Sequence, residues 1–342
     1  KGVYHAFYQY SPFEEKGGLK FWAHCTSTDL LHWKLENIPL SPDQPYDCHG
    51  VYSGSAVIED DHMYLYYTGN VKELGDYDYI NQGRQANTVR AVSLDGIHFD
   101  RKELLLTNAD YPMDLTCHVR DPKVWKKYGG WYMVQAARNR EDQGVVLLLT
   151  CGDGVKWFCT HRLKSTKPFG FRWECPDVYK VDGHTVLSIS PQGVEADGLK
   201  YNNVYQSVTT FLDGDFRTTS VSGEFRELDG GFDFYAPQTM ETADGRRVII
   251  GWMQSCEKAF LPEGFPWCGI LSIPRELFLE NGRLCQRPVR ELENYLKEKA
   301  VYTDVSIGKK QALTCIQGRM IDLSVTVKGK AYDKWTLYLA AG

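Results

Sequence analysis

HMYLYYTG, residues 62–69, is a short aromatic-rich run closed by a glycine, and it reads as a β-strand rather than as part of a helix. Runs of the same character return as VYHAFYQY from Val3, GWYMVQAA from Gly130, HTVLSISP from His184 and RVIIGWMQ from Arg247. Their start-to-start spacings are 59, 68, 54 and 63 residues. A second marker keeps the same beat: an acid stands four residues before an aromatic at Asp29 and Trp33, Asp95 and Phe99, and Asp153 and Trp157. The period exceeds the roughly 20–50 residues of most repeats, and it suits a propeller blade of four strands joined by long loops. Five such units make the chain all-β, a five-bladed β-propeller. A β-sandwich or barrel accounts for the turn-bounded strands but not for two coincident periods.

On this reading the propeller occupies 1–285. The periodic stretch PVRELENYLKEK is expected to form a linker helix within 286–300. The strand-rich residues 301–342 are expected to begin a β-sandwich that is cut short. The innermost strand of the first blade is expected upstream of Lys1, about ten residues before Val3.

Composition narrows the function. The 342 residues are 43% hydrophobic and 24% charged, which makes a globular chain with a sizeable core. A formal net charge of -5 lacks the basic excess that nucleic acid or an anionic membrane would require. No apolar run reaches the roughly 18 residues of a membrane span. The ten cysteines include no C-x-x-C pair, which favours reduced thiols and a cytoplasmic location. The nine histidines form neither H-E-x-x-H nor a paired Cys/His spacing, so no metal is expected, and no cofactor motif appears. The expected partner is a small, uncharged or locally bound molecule. Oligomeric state leaves no signature.

Propeller sites sit where the innermost strands meet at one end of the central channel. Counting back about ten residues from the recurring runs reaches Ser53, Asp121, Glu174 and Tyr235, which are expected to hold equivalent places in successive blades. Asp121 and Glu174 would then be neighbouring-blade partners, and paired carboxylates are what glycoside hydrolysis needs. A carboxyl beside Trp173 and near other acids is expected in surroundings that favour its protonated form, which suits a proton donor. The ordinary reading of each residue is blander. A loop acid usually caps a turn, Arg120 usually makes a structural ion pair, and Trp22, Trp173, Trp252 and Trp267 usually fill core. Arg138, Arg140 and Lys258 are cations that could meet a phosphate, though such residues are most often solvated.

FYQYSPF (7–13), FWAHCTSTDLLHW (21–33), YSGSAV (52–57), RDPKVW (120–125), WECPD (173–177), LSISPQG (187–193), ELDGGFDFYAPQTM (227–240), GRRVIIGWM (245–253) and LSIPREL (271–277) follow one another in this order. Together they resemble glycoside hydrolase family 32, the β-fructofuranosidases, on the side of the bacterial sucrose and sucrose-6-phosphate hydrolases. The resemblance covers about residues 4–280 and implies a five-bladed propeller followed by a β-sandwich. It implies Glu174 as acid/base and Asp121 as the residue that holds fructose hydroxyls and stabilises the transition state, with Arg120 beside it. It implies Gln9, Tyr52 and Ser53 as fructosyl contacts, with Tyr235 and Trp252 lining the same pocket. Retaining hydrolysis also needs an aspartate nucleophile, which the family carries in Asn-Asp-Pro. That motif is absent from the 342 residues and is expected upstream of Lys1, so the chain by itself is expected to be nearly inactive. A fructoside-binding propeller without catalysis is the rival reading, and fructosyl transfer would use the same groups. Two departures from the family stand out, Gly17 where a tryptophan is usual and Tyr52 where a phenylalanine is.

Overall fold

A computed structural model describes residues 2–15, 17–254 and 267–297 and, beyond them, 299–308, 310–313, 318, 321–329 and 334–338. Among the described residues nineteen strands form five sheets in chain order. The first blade holds β1 (Tyr4–Tyr10), β2 (Phe21–Ser27) and β3 (Lys34–Leu35). The second holds β4 (Val51–Glu59), β5 (His62–Lys72), β6 (Arg84–Ser93) and β7 (Arg101–Leu106). The third holds β8 (Leu115–Lys127), β9 (Gly130–Asn139), β10 (Gly144–Cys151) and β11 (Phe158–Leu163). The fourth holds β12 (Arg172–Val181), β13 (His184–Gln192), β14 (Val208–Leu212) and β15 (Arg226–Glu227). The fifth holds β16 (Tyr235–Glu241), β17 (Arg247–Trp252), β18 (Arg275–Glu280) and β19 (Arg283–Pro288). Each sheet is an antiparallel meander, and β4, β8, β12 and β16 pack successively against one another around the axis.

Four of the recurring runs, β5, β9, β13 and β17, are the second strands of their blades, and the fifth, from Val3, is β1. The four second strands read as nearly unbroken hydrophobic stretches because both faces are covered by neighbouring sheets. Five separate cores fill the five gaps between blades. Trp22, Val51 and Tyr67 join the first to the second. Tyr66, Val119 and Leu147 join the second to the third. Leu148, Trp173 and Leu187 join the third to the fourth. Tyr179, Phe234 and Ile249 join the fourth to the fifth, and Leu30, Val248 and Val289 bring the fifth back to the first. That last core closes the ring.

The acid-to-aromatic marker is one repeated outer turn. Asp29 Oδ1 accepts the Leu31 and His32 amides at 2.9 and 2.8 Å, Asp95 Oδ1 those of Ile97 and His98 at 2.8 Å each, and Asp153 Oδ1 those of Val155 and Lys156 at 2.9 Å each. Phe99 and Trp157 then turn inward to the core. Each is an Asx turn, which explains the fixed spacing.

Two expected boundaries differ. The last propeller strand runs to Pro288 rather than ending at 285, because the Asn281-Gly282 turn sets a hairpin register that pairs Arg275 with Pro288. In place of a helix through 286–300 there is a six-residue 3-10 helix, Arg290–Tyr295, none of whose residues is buried. Without an apolar face to bury, a longer helix has little to hold it. Residues 293–342 separate as a second unit, and among its described residues none is in a strand. IDLSVTVKG at 321–329 alternates as a strand should, yet Ile321, Leu323, Val325 and Val327 are all exposed. A strand exists through its pairing, and the described residues offer this one no partner.

Candidate active site

The four innermost strands β4, β8, β12 and β16 each break register beside a candidate residue, and β8 does so a second time, between Leu115 and Val119. Tyr52 faces Thr68, Arg120 faces Ala136, Glu174 faces Ser190 and Tyr235 faces Trp252. In each strand the next two residues then oppose one, which is a β-bulge. Pairing therefore aligns Tyr52, Arg120, Glu174 and Tyr235 with one another, and Ser53, Asp121, Cys175 and Ala236 with one another. The expected equivalence of Asp121 and Glu174 is off by one residue, because counting back from the second strand does not see the bulge. Asp121, Cys175 and Ala236 have φ of 60°, 46° and 51°, and each precedes a proline. Left-handed backbone at a non-glycine residue is strained, at about 1–2 kcal/mol each.

Contacts from the preceding blade hold these bulges. Thr68 Oγ1 accepts the Asp121 amide at 3.0 Å, and Ser190 Oγ accepts the Ala236 amide at 3.2 Å. The residue facing Arg120 is Ala136, which offers no side-chain acceptor. There Asp121 itself reaches across, and its Oδ2 accepts the Cys175 amide at 2.8 Å. The bulge that aims Glu174 thus rests on the carboxylate of the neighbouring blade.

Glu174 is largely shielded, its side chain 12% exposed. Its Oε2 accepts from Tyr235 Oη at 2.7 Å and from Gln192 Nε2 at 2.8 Å. Its Oε1 faces Arg120 Nη1 and Arg172 Nε, each at 3.4 Å. Trp173 does not wall this acid, since neighbours in a strand point to opposite faces. Its indole is 1% exposed in the core between blades and donates to Phe169 O at 2.7 Å. Asp121 is the acid pushed upward, to about 6, by burial and by the charge of Glu174, with Arg120 opposing. Burial and Glu174 likewise raise the Tyr235 phenol well above its usual value, so it stays a donor.

Gln9 and Ser53 meet, Gln9 Nε2 donating to Ser53 Oγ at 2.7 Å. The Tyr52 carbonyl accepts from the buried Trp22 indole at 3.0 Å. Trp252 comes alongside through its pairing with Tyr235. Arg138 is paired to Asp142 at 2.7 Å, Arg140 donates to Met113 O at 3.1 Å, and Lys258 lies outside the described residues. Sequence reasoning missed Gln192, His118 and Arg172. The last two stand two residues before Arg120 and Glu174, on the same strand face, and that period was the available signal.

Fold and site together define a class: a five-bladed propeller that brings two neighbouring carboxylates, with guanidiniums and hydroxyls, to the register breaks of its inner strands. The chain belongs to glycosyl hydrolase family 32, whose N-terminal domain description matches residues 1–288. Sucrose-6-phosphate hydrolase of Bacillus subtilis is 40% identical over 302 residues, 86% of this chain and 61% of that protein. Raffinose invertase of Escherichia coli is 40% identical over 319 residues, 92% and 65% of the two lengths. A mutant of the Bombyx mori GH32 beta-fructofuranosidase, solved in complex with sucrose, superposes with a TM-score of 0.77 at 33% identity, over 87% of this chain and 62% of that one. The chain therefore spans less than two thirds of the length of each of these three proteins. No helix among the described residues is long and apolar enough to cross a membrane.

Proposed function

We propose that this propeller is the catalytic part of a β-fructofuranosidase that cleaves sucrose, its 6-phosphate or a short fructo-oligosaccharide. The observation that carries the reading is Glu174, held at one oxygen by Tyr235 and Gln192 while the other faces two guanidiniums, with Asp121 close enough to feel its charge. A fixed carboxyl with one oxygen left for the reaction suits a proton donor. In this reading Glu174 protonates the leaving glycosidic oxygen while a nucleophilic carboxylate takes the fructosyl group, then Glu174 takes a proton from the water that displaces that carboxylate, and the two displacements make the reaction retaining. Asp121 accepts fructosyl hydroxyls and opposes the developing positive charge, assisted in positioning by Arg120. Gln9, Tyr52, Ser53, Tyr235 and Trp252 bound the fructosyl pocket. No residue of the 342 is assigned as nucleophile. The cysteines among the described residues, eight free thiols, support a cytoplasmic location.

One rival is a propeller that binds fructosides without cleaving them. Incubating the full-length protein with sucrose, and with maltose as control, decides between them. Fructose released from sucrose, and no sugar from maltose, supports the enzyme. Saturable sucrose binding with no release supports the binder.

A further inference from the structure

One level below Glu174 the inner strands carry a second ring of polar side chains, which the fructosyl reading leaves unused. Ser55, Lys123, Asp177 and Gln238 stand three residues after Tyr52, Arg120, Glu174 and Tyr235, while the facing strand moves back by two, from Thr68 to Tyr66, Ala136 to Val134, Ser190 to Ser188 and Trp252 to Ile250. The bulge takes up the extra residue, so each is back on the face of the residue before it. Two of them stitch blades together in one way. Ser55 Oγ accepts the Val124 amide at 3.0 Å, and Asp177 Oδ2 accepts the Thr239 amide at 2.8 Å.

Lys123 breaks the pattern, because an ammonium cannot accept an amide. It reaches from the third blade to the fourth and the fifth instead. Its Nζ donates to Thr239 O at 2.7 Å and to Gln238 Oε1 at 3.1 Å, and meets Asp177 Oδ2 at 3.2 Å, which uses its three protons. The Asp177 side chain is 1% exposed, and among the described residues its Oδ1 has no hydrogen-bond partner. A buried charge so incompletely met is costly. Stitching alone does not call for it, since Ser55 does the same with a neutral hydroxyl. What the lysine adds is an orientation for Gln238. An ammonium draws the amide oxygen to itself, and this turns Gln238 Nε2 to Cys175 O, where it donates at 3.2 Å.

Cys175 is the left-handed residue that follows Glu174. Its amide is held from the third blade by Asp121 Oδ2 at 2.8 Å, and its carbonyl from the fifth by Gln238. Both peptide units around the bulge are thereby fixed, and with them the direction in which Glu174 leaves the strand. We propose that Gln238, oriented by Lys123, is a positioning residue that keeps Glu174 aimed at the leaving oxygen. The proposal rests on the fructosidase reading, which assigns that proton transfer to Glu174. Gln238 acts on the reaction only through the Cys175 carbonyl.

Turnover of sucrose and of an aryl β-fructofuranoside by the full-length protein tests this, with the melting temperature recorded alongside. Gln238→Glu keeps an acceptor for Lys123 but has no N–H for Cys175 O. It should lower kcat on sucrose about tenfold, the order of one lost hydrogen bond, with KM within about twofold of the parent. On the aryl substrate, whose leaving group needs no proton, the loss should be far smaller. Gln238→Met, close in length and without a strong donor or acceptor, should show the same selective loss, and it decides if Gln238→Glu fails to fold. Losses equal on both substrates, unchanged sucrose turnover, or collapse of both variants would overturn the proposal, since each leaves Gln238 either idle or merely structural. Glu174→Gln keeps the two readings apart. A loss there confined to sucrose, with equal losses in the Gln238 variants, sinks the positioning role and leaves the proton donor standing. Equal losses in Glu174→Gln sink the proton donor itself, and the positioning role with it.

Discussion

Asp95 and Asp121 are the same side chain in two surroundings. Asp95, like Asp29 and Asp153, stands at an outer hairpin, where the His98 imidazole and the backbone amides of His98 and Ile97 hold its carboxyl well below the usual range. Asp121 also accepts a backbone amide, yet burial and Glu174 push it up to about 6. Amide donors alone do not mark a functional acid, since they serve the turn and the bulge equally. What separates the two is enclosure beside a second carboxylate, and that arrangement is found at the inner strands.

The comparison can be broken first at Asp121. Asp121→Ala removes both the stabilising carboxylate and the acceptor of the Cys175 amide. It should cut kcat/KM for fructose release about 10²–10³-fold and lower stability by about 1–3 kcal/mol, the cost of one buried amide left unmade. Asp121→Asn keeps an acceptor and should lose the activity while largely keeping the melting temperature. Equal thermal losses in the two variants would show that the amide contact contributes little.

Stability against pH sharpens the contrast. The folded Asp121 carboxyl holds its proton up to about 6, whereas in the unfolded chain it releases it near the ordinary 3.8. The folded state therefore binds the extra proton between those values, and stability falls as pH rises through that window. Asp121→Asn should gain on the parent as pH is raised from about 4 to 7. A difference in melting temperature that stays constant across that range would contradict the assignment. The smallest effect is expected at the outer turn, where water can replace the lost acceptor. Asp95→Ala should lower the melting temperature slightly and leave fructose release unchanged.

The blade count was legible because second strands such as HMYLYYTG are buried on both faces and so carry an uninterrupted apolar run. The outer turns were legible because an Asx turn fixes the distance from the acid to the aromatic that follows. The phase of the inner strands was not, since a bulge adds a residue that no hydrophobic count registers. A signal for it did exist in the prolines of RDPK, ECPD and YAPQ, which mark the three left-handed residues. The helix expected at 286–300 shows the opposite failure, periodicity without a surface to pack on. His118 and Arg172 were passed over because a histidine and an arginine in a strand are ordinarily structural or solvated. Only their place on the face of Arg120 and Glu174 set them apart. Trp173 misled in the same way, being next to Glu174 in the chain and on the opposite side of the sheet.

The central claim, that Glu174 gives its proton to the leaving sugar, is tested most directly by changing how much help the leaving group needs. Glu174→Gln in the full-length protein should be measured on sucrose and on an aryl β-fructofuranoside whose phenolate departs unprotonated. The account predicts a fall in fructosyl transfer from sucrose of about 10²-fold or more, with a far smaller fall on the aryl substrate. Equal losses on both substrates, or no loss on sucrose, would contradict it.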